Sequence, residues 1–274
     1  MSHTNEKIFI VLPAYNASKT LIRTLNEIPS EYRQNIILVD DASQDNTVEV
    51  ARQARIPVIV HPRNRGYGGN QKTCYTAALA RGADLVVMLH PDHQYDAKVI
   101  PQLIQPILDG EASAVFGSRM LGGLPLEGGM PWWKYVANVV LTALANIVFC
   151  HYLTEIHSGF RAYSRRYLET VRFMENSDDF IFDTEIIAQG MMCNLRFQEV
   201  PITTRYFPEA SSINLRRSIV YGFGILWVLL KFWLHRSGWM QFSYLMPNER
   251  STFHRTIPNI FYTKLKSKGQ HRGK

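Results

Sequence analysis

The sequence predicts an α/β fold: a mostly parallel central sheet flanked by helices, with a C-terminal amphipathic helix and a basic tail. Three observations predict it. Apolar runs of strand length recur at residues 7–12, 35–40, 57–61, 84–89 and 112–117. Helical stretches near 18–28, 45–55, 69–81 and 97–108 alternate with them, which is the rhythm of βαβ units. Some runs, Ile36-Ile-Leu-Val39 above all, are continuously apolar, as strands buried on both faces must be.

Each element has a local cause. Asn16 or Ser18 can cap the first helix and Asp45 the second, while Pro29 and Pro57 mark where helical segments have ended. Gly66-Tyr-Gly68-Gly69 opens the third helix. Beyond residue 117 the rhythm breaks: Gly122 to Pro131 is turn-rich and reads as a lid or entry loop, and Trp132-Trp133 begins an apolar helical stretch to Phe149. Residues 158–206 return to mixed strands and helices. The expected organisation is a domain over 1–215, with halves 1–117 and 118–215, followed by the amphipathic helix and tail over 216–274.

At 274 residues and 46% apolar the chain can bury a large core without staples. Cys74, Cys150 and Cys193 lack metal-ligand spacing and are odd in number, so free thiols in a reducing compartment are expected. Lys7-Ile-Phe-Ile-Val-Leu12 has neither the basic flank nor the cleavage site of a signal peptide, which predicts a cytoplasmic protein.

The net charge of +7 is unevenly placed: residues 216–274 carry +10 and residues 1–215 carry −3. No nucleic-acid-binding motif accompanies the basic end, which excludes a nucleic-acid partner. An anionic membrane surface suits it, at about 1 kcal/mol per basic residue; for residues 247–274 a merely solvated tail suits it equally. Residues 218–230 form an uninterrupted apolar stretch of 13, short of the roughly 20 that a spanning helix needs. Trp227 and Trp233, with Arg216, Arg217, Lys231 and Arg236 around them, point to a helix lying in the bilayer interface. The alternative is a helix docked on the protein's own core or on a second subunit, as a homodimer.

The chemistry sits where strands end. Asp40 and Asp41 emerge at the carboxyl edge of a buried strand, where open α/β sheets bind ligands. The segment Gly66 to Thr73 fails both the Walker and the dinucleotide spacing at Gln71, leaving a glycine-rich turn whose helix N-terminus can face a pyrophosphate. His90-Pro91-Asp92-His93-Gln94 ends the next strand with a carboxylate, an amide and imidazoles, a set able to hold a divalent cation, Mn²⁺ or Mg²⁺. Arg119 ends the next strand and Arg161 follows a likely helix, each a phosphate binder or a surface ion pair. Asp183 and Glu185 open a helix, where acids also serve simply to complement the dipole.

Taken in order, these pieces resemble the family 2 glycosyltransferases, and within them the dolichyl- or polyprenyl-phosphate hexose synthases. The carrying residues are Val11 to Asn16, Val39 to Asp45, Asn64 to Gly69, Gly117 to Arg119, Ser158 to Arg161, Phe182 to Glu185 and Glu199 to Ile202. The resemblance implies a GT-A nucleotide-sugar fold and a nucleotide-binding set of Pro13, Tyr15, Asn16, Asp40, Asp41, Gly69, Lys72 and Asp92. Tyr15 lies against the base, Asp41 accepts from its N–H, and Asp40 supports the site. His90 stands where the family has the first acid of an Asp-x-Asp, so the implied metal ligands are His90, Asp92 and Gln94. The acceptor phosphate falls to Arg119, Lys134, Ser158 and Arg161. His157, where these enzymes commonly have threonine, contacts the pyrophosphate or the metal, or is a core histidine.

The resemblance further implies an inverting transfer of a hexose from UDP-glucose or GDP-mannose to a lipid phosphate, by a cytoplasmic enzyme peripherally associated with the membrane. The catalytic residues are then Asp92, Arg119 and Asp183. A phosphate acceptor is already anionic and needs positioning; a hydroxyl acceptor needs a base, for which Asp183 is the candidate. The rival expectations are a transferase with a soluble acceptor in polysaccharide or glycoconjugate synthesis, and a non-catalytic nucleotide-sugar or membrane-binding protein.

Overall fold

A computed structural model describes residues 6–122, 125–126, 128–205 and 215–248. The five expected runs form strands β1 (Ile8–Ala14), β2 (Ile36–Asp40), β3 (Val58–Val60), β4 (Leu85–Met88) and β5 (Ala114–Ser118), joined by β6 (Arg161–Ser164) and β7 (Phe197–Pro201). They make one seven-stranded sheet in the order β3-β2-β1-β4-β6-β5-β7. β1 pairs in parallel with β2 and β4, β2 with β3, and β5 with β7, while β6 runs antiparallel between β4 and β5.

Period-two alternation sends Val11, Val39 and Met88 to one face and Leu12, Leu38 and Val87 to the other. Both faces are buried, which is why the runs read as continuously apolar. Helices α1 (Leu21–Glu27), α2 (Thr47–Gln53) and α4 (Ile100–Leu108) cover the second face. The first is covered by α3 (Gly66–Ala80), α5 (Trp132–Phe149), α6 (Arg165–Thr170), α7 (Phe182–Met192) and α8 (Leu215–Arg236).

Helix α8 resolves the choice left by its sequence in a divided way. Its inner face, Ile225, Val228, Leu229 and Phe232, belongs to the main core, and Phe232 meets Phe149 of α5 at 4.8 Å between ring centroids. The helix is therefore docked on the domain and shares its core with residues before 215. Its outer face stays open, with Phe223 69% exposed, and so does that of α5, with Ile147 72% exposed. By length and composition both helices are apolar enough to cross a membrane. The basic tail beyond 248, and positions 123, 124 and 127 of the expected lid, lie outside the described residues.

The strand order reverses between β1 and β4. At such a switch point neighbouring connections leave to opposite sides and open a crevice at the carboxyl ends of the strands, which is where α/β sheets take ligands.

Candidate active site

β1 delivers Tyr15 and Asn16 to this edge, β2 delivers Asp40 and Asp41, β4 delivers His90 and Asp92, and β5 delivers Arg119. β6 runs the other way, so Ser158 to Arg161 reach the same edge from its start, with Arg161 in register with Met88 and Phe116. The turns after β1, β2 and β4 each contain a left-handed residue, Asn16 (φ 53°), Ala42 (φ 59°) and His93 (φ 60°). For Ala42 that conformation costs on the order of 1 kcal/mol, the kind of strain that clusters at ligand sites. A separate hollow of about 470 Å³ lies at the opposite sheet edge, between Asp84, Leu85 and Arg165. Arg165 is already paired there with Glu169 at 2.8 Å.

On the nucleotide side Tyr15 is half exposed beyond the buried Pro13, free to lie against a base. Asn16 caps no helix; its Oδ1 accepts from Gln44 N at 2.8 Å and ties the first turn to the second. Asp45 does act at the start of α2, accepting from Thr47 N at 3.0 Å. Asp41 is buried: Oδ1 meets His61 Nδ1 at 2.7 Å and accepts from Arg65 N at 2.8 Å, and Oδ2 accepts from Gly66 N at 3.0 Å. Asp40 accepts from Ser43 N through Oδ2, while its buried Oδ1 has no hydrogen-bond partner. Asp40 thus holds the turn after β2 through Ser43, and Asp41 braces the turn at 65–66.

The glycine-rich turn needs correction. Its N–H groups do not face a pyrophosphate: those of Arg65 and Gly66 go to Asp41, and those of Gly68 and Gly69 go to Asp178 O at 2.8 and 3.2 Å. A Cβ on Gly68 would lie 2.4 Å from Ser177 O and 2.7 Å from Phe182 Cβ, so this glycine serves the close approach of α3 to the entry of α7. Lys72, expected at the nucleotide, is buried and binds Asp178 Oδ1 at 2.7 Å and Asn176 O. Gly69 and Lys72 therefore hold the 176–178 loop.

Arg161 is also corrected. It is 1% exposed, and its guanidinium donates to Ser158 O (2.6 Å), Ile156 O (2.9 Å) and Asp183 O (3.2 Å). It pairs with the Asp183 carboxylate at 3.4 Å and lies over the Phe116 ring at 4.9 Å. Such a group cannot reach an acceptor phosphate. Ser158, 1% exposed, turns its Oγ to Phe160 N and is equally internal. Asp183 accepts from Tyr67 Oη at 2.8 Å and from Gln71 Nε2 at 3.0 Å, so the candidate base is a buried, paired and hydrogen-bonded anion that locks α7 to α3.

What remains open is a cationic cluster. Arg119 is held by the fully buried Glu155, which accepts from its backbone N at 2.8 Å and its Nε at 2.8 Å and forms an ion pair with Nη2. Asn138 of α5 donates to the same carboxylate at 3.3 Å. Glu199 in turn fixes the 154–155 backbone, and burial pushes its carboxyl pKa up. Lys134, in the first turn of α5, has its pKa lowered by partial burial and by the nearby charge of Arg119. Burial, together with Arg119 and Arg161, pushes His157 down to about 3, leaving it neutral, with Nδ1 3.2 Å from Tyr221 Oη and Nε2 buried without a partner.

Tyr95 joins the two sides: its hydroxyl accepts from Gly159 N at 3.1 Å and feels the charges of both Arg119 and Asp92. Tyr67, Gln71, Tyr95, Glu155 and Glu199 were not foreseen as site residues; Tyr67 and Glu199 fall within the family motifs, and Gln71 within the glycine-rich segment.

Asp92 has its pKa raised by burial, and His90 has its pKa lowered by burial. The Asp92 carboxylate accepts from Gln94 N at 3.1 Å, so the turn after β4 holds it in place. No three His, Cys, Asp or Glu side chains converge as a metal cage among the described residues. The donors of this turn, one carboxylate, one imidazole and one amide, fit an open site whose cation is completed by phosphate oxygens.

The fold and this edge are of the GT-A type. The chain belongs to glycosyl transferase family 2, whose model matches residues 9–172, and it is a glycosyltransferase. It is 30% identical over 225 residues to an uncharacterized protein of Methanocaldococcus jannaschii, covering 82% of this chain and 91% of that one. It is 28% identical to a UDP-N-acetylglucosamine–dolichyl-phosphate N-acetylglucosaminyltransferase of Methanococcus voltae, covering 81% and 94%. Among solved structures, glucosyl-3-phosphoglycerate synthase from Mycobacterium tuberculosis with phosphoglyceric acid has the same fold, at a TM-score of 0.64 and 21% identity over 83% of this chain and 80% of that one. The same synthase with Mn²⁺, UDP and its product superposes at 0.62, with 20% identity over 83% and 80%.

Proposed function

We propose that the protein is an inverting transferase that moves a hexosyl residue from a nucleotide sugar to a polyprenyl or dolichyl phosphate at the cytoplasmic face of a membrane. The observation that carries this reading is the placement of Lys134, in the first turn of the exposed apolar helix α5, within range of the Arg119 charge. Arg119 already has Glu155 as its counter-charge, so Lys134 is the cation left for an anion, and the exposed apolar face of α5 beside it suits the chain that a lipid phosphate brings. The internal fate of Asp183 supports it too, since a phosphate acceptor needs no general base.

Tyr15 stacks on the base, Asp41 Oδ2 accepts its N–H, and the orphaned Asp40 Oδ1 takes a further donor of the nucleoside. Arg119, fixed by Glu155, and Lys134 position the acceptor. An acceptor phosphate oxygen attacks the anomeric carbon as its bond to the donor diphosphate breaks, inverting the centre. Asp92, His90 and Gln94 would hold Mn²⁺ or Mg²⁺, which neutralises charge on the leaving diphosphate. Both apolar helices lie in the membrane plane because each has one face committed to the core. The candidate donors are UDP-glucose and GDP-mannose, and UDP-N-acetylglucosamine joins them because a 28% identical relative carries that donor in its name.

A thermal-shift screen of these nucleotide sugars with and without Mn²⁺ identifies the donor, because selective binding raises the unfolding temperature. Transfer of the labelled sugar to polyprenyl phosphate in vesicles, with a raised KM for that lipid in Lys134→Ala, is expected. Transfer to a soluble acceptor such as phosphoglyceric acid, with none to the lipid, would overturn the proposal.

A further inference from the structure

His90 replaces an acid in the turn after β4, and one of its two nitrogens is already committed. Tyr67 Oη lies 2.8 Å from Asp183 Oδ2 and 3.3 Å from His90 Nε2. A phenol has one hydrogen. Asp183, paired with Arg161, can only accept at Oδ2, so that hydrogen goes to Asp183 and the hydroxyl offers His90 a lone pair.

We infer that Tyr67 is a positioning residue: it holds His90 as the Nε2–H tautomer and so presents Nδ1 to the site. Packing points the same way. The Nε2 edge is enclosed by Gly159, where a Cβ would come 2.6 Å from Nε2 and 2.7 Å from Cδ2. The His90 and Tyr67 rings are stacked, 5.5 Å apart at 15°, and Phe180 lies 4.7 Å from Tyr67 on centroids. Nδ1 makes no hydrogen bond among the described residues, and His90 as a whole is only partly buried. Ligating histidines are generally oriented by a partner on their second nitrogen, and loss of that partner weakens metal binding about 10- to 100-fold. Here the partner is a tyrosine that is itself oriented by an ion pair, so the Arg161–Asp183 lock and the cation site form one connected unit.

The inference rests on the reading of His90 as a ligand, and the test separates the two. In metal-free protein carrying ¹⁵N-histidine, with His90→Gln assigning the signal, the His90 ring should show a protonated Nε2 and a bare Nδ1. Tyr67→Phe, which keeps the ring stack, should yield a mixture of tautomers. It should also weaken Mn²⁺ binding in the presence of UDP, followed by electron paramagnetic resonance, about 10- to 100-fold. A protonated Nδ1 in the parent protein, or an unchanged ring spectrum in Tyr67→Phe, would overturn the inference. Undiminished Mn²⁺ binding by His90→Gln, with the tautomer as described, would instead remove His90 from the ligand set.

Discussion

Asp183→Asn separates the two roles that a carboxylate at the start of α7 can have. The side chain pairs at 3.4 Å with Arg161, which is 1% exposed. Asn keeps an oxygen for Tyr67 or Gln71 but leaves the guanidinium buried without a counter-charge. Removing one partner of a buried pair costs about 3–5 kcal/mol. For a domain of this size each kcal/mol moves the unfolding temperature by about 2–4 °C, so a fall of about 6–20 °C is expected. The assay is thermal unfolding beside single-turnover transfer on the same preparation. Adding Arg161→Met removes the stranded charge and should recover part of the loss, a positive coupling between neighbouring sites. An unchanged unfolding temperature with donor binding intact and turnover abolished would refute the reasoning and restore Asp183 as a general base.

Further outcomes follow from single contacts. Gly159→Ala places a methyl 2.6 Å from His90 Nε2, so Mn²⁺-dependent transfer should drop at least tenfold at a stability cost of about 1–3 kcal/mol; full activity would show that the ring can move aside. Phe223→Glu with Trp227→Glu, both on the open face of α8, should abolish sedimentation with anionic vesicles while stability changes by about 0.5 kcal/mol or less per site. Undisturbed vesicle binding would rule out this face as the membrane contact. His157 stays neutral to about pH 3 in the fold but takes a proton near 6.5 when unfolded. Between those values the unfolded state binds more protons, so this stability is complete above about pH 6.5 and is lost as pH falls. His157→Gln should flatten the denaturant-measured pH slope in that window by up to about 1.4 kcal/mol per unit.

Much of the frame was legible because its causes are local. The strand at 36–40 follows from an unbroken apolar run, and the one at 85–88 from another; the helix after the first follows from the stop at Pro57 and the helix after the second from its apolar periodicity. The ligand edge was legible too, since a polar residue just after a buried strand has only one place to emerge. The partners that decide which polar residues meet the ligand were not. Lys72 is neutralised by Asp178, 106 positions away, and Gln71 meets Asp183, 112 positions away. Glu155 and Asn138, which fix Arg119, belong to no motif at all. No window of neighbouring residues contains those pairings.

The motif residues consequently divide by burial into two groups. Lys72, Arg161 and Asp183 are enclosed, and each satisfies a group that folding would otherwise strand, a loop carbonyl or a buried opposite charge; Asp41 belongs to both groups, accepting loop N–H groups while its Oδ2 is assigned to the base. Tyr15, His90, Asp92, Arg119 and Lys134 keep part of their surface and face the crevice. A charged residue at a sheet edge cannot be buried without partners, so a motif that supplies several charges there must use some to balance the others. That requirement explains why so many ionisable residues crowd a site whose chemistry needs only a few. It also predicts how the two groups differ on substitution: enclosed members lose folding free energy first, and crevice-facing members lose ligand affinity at nearly unchanged stability.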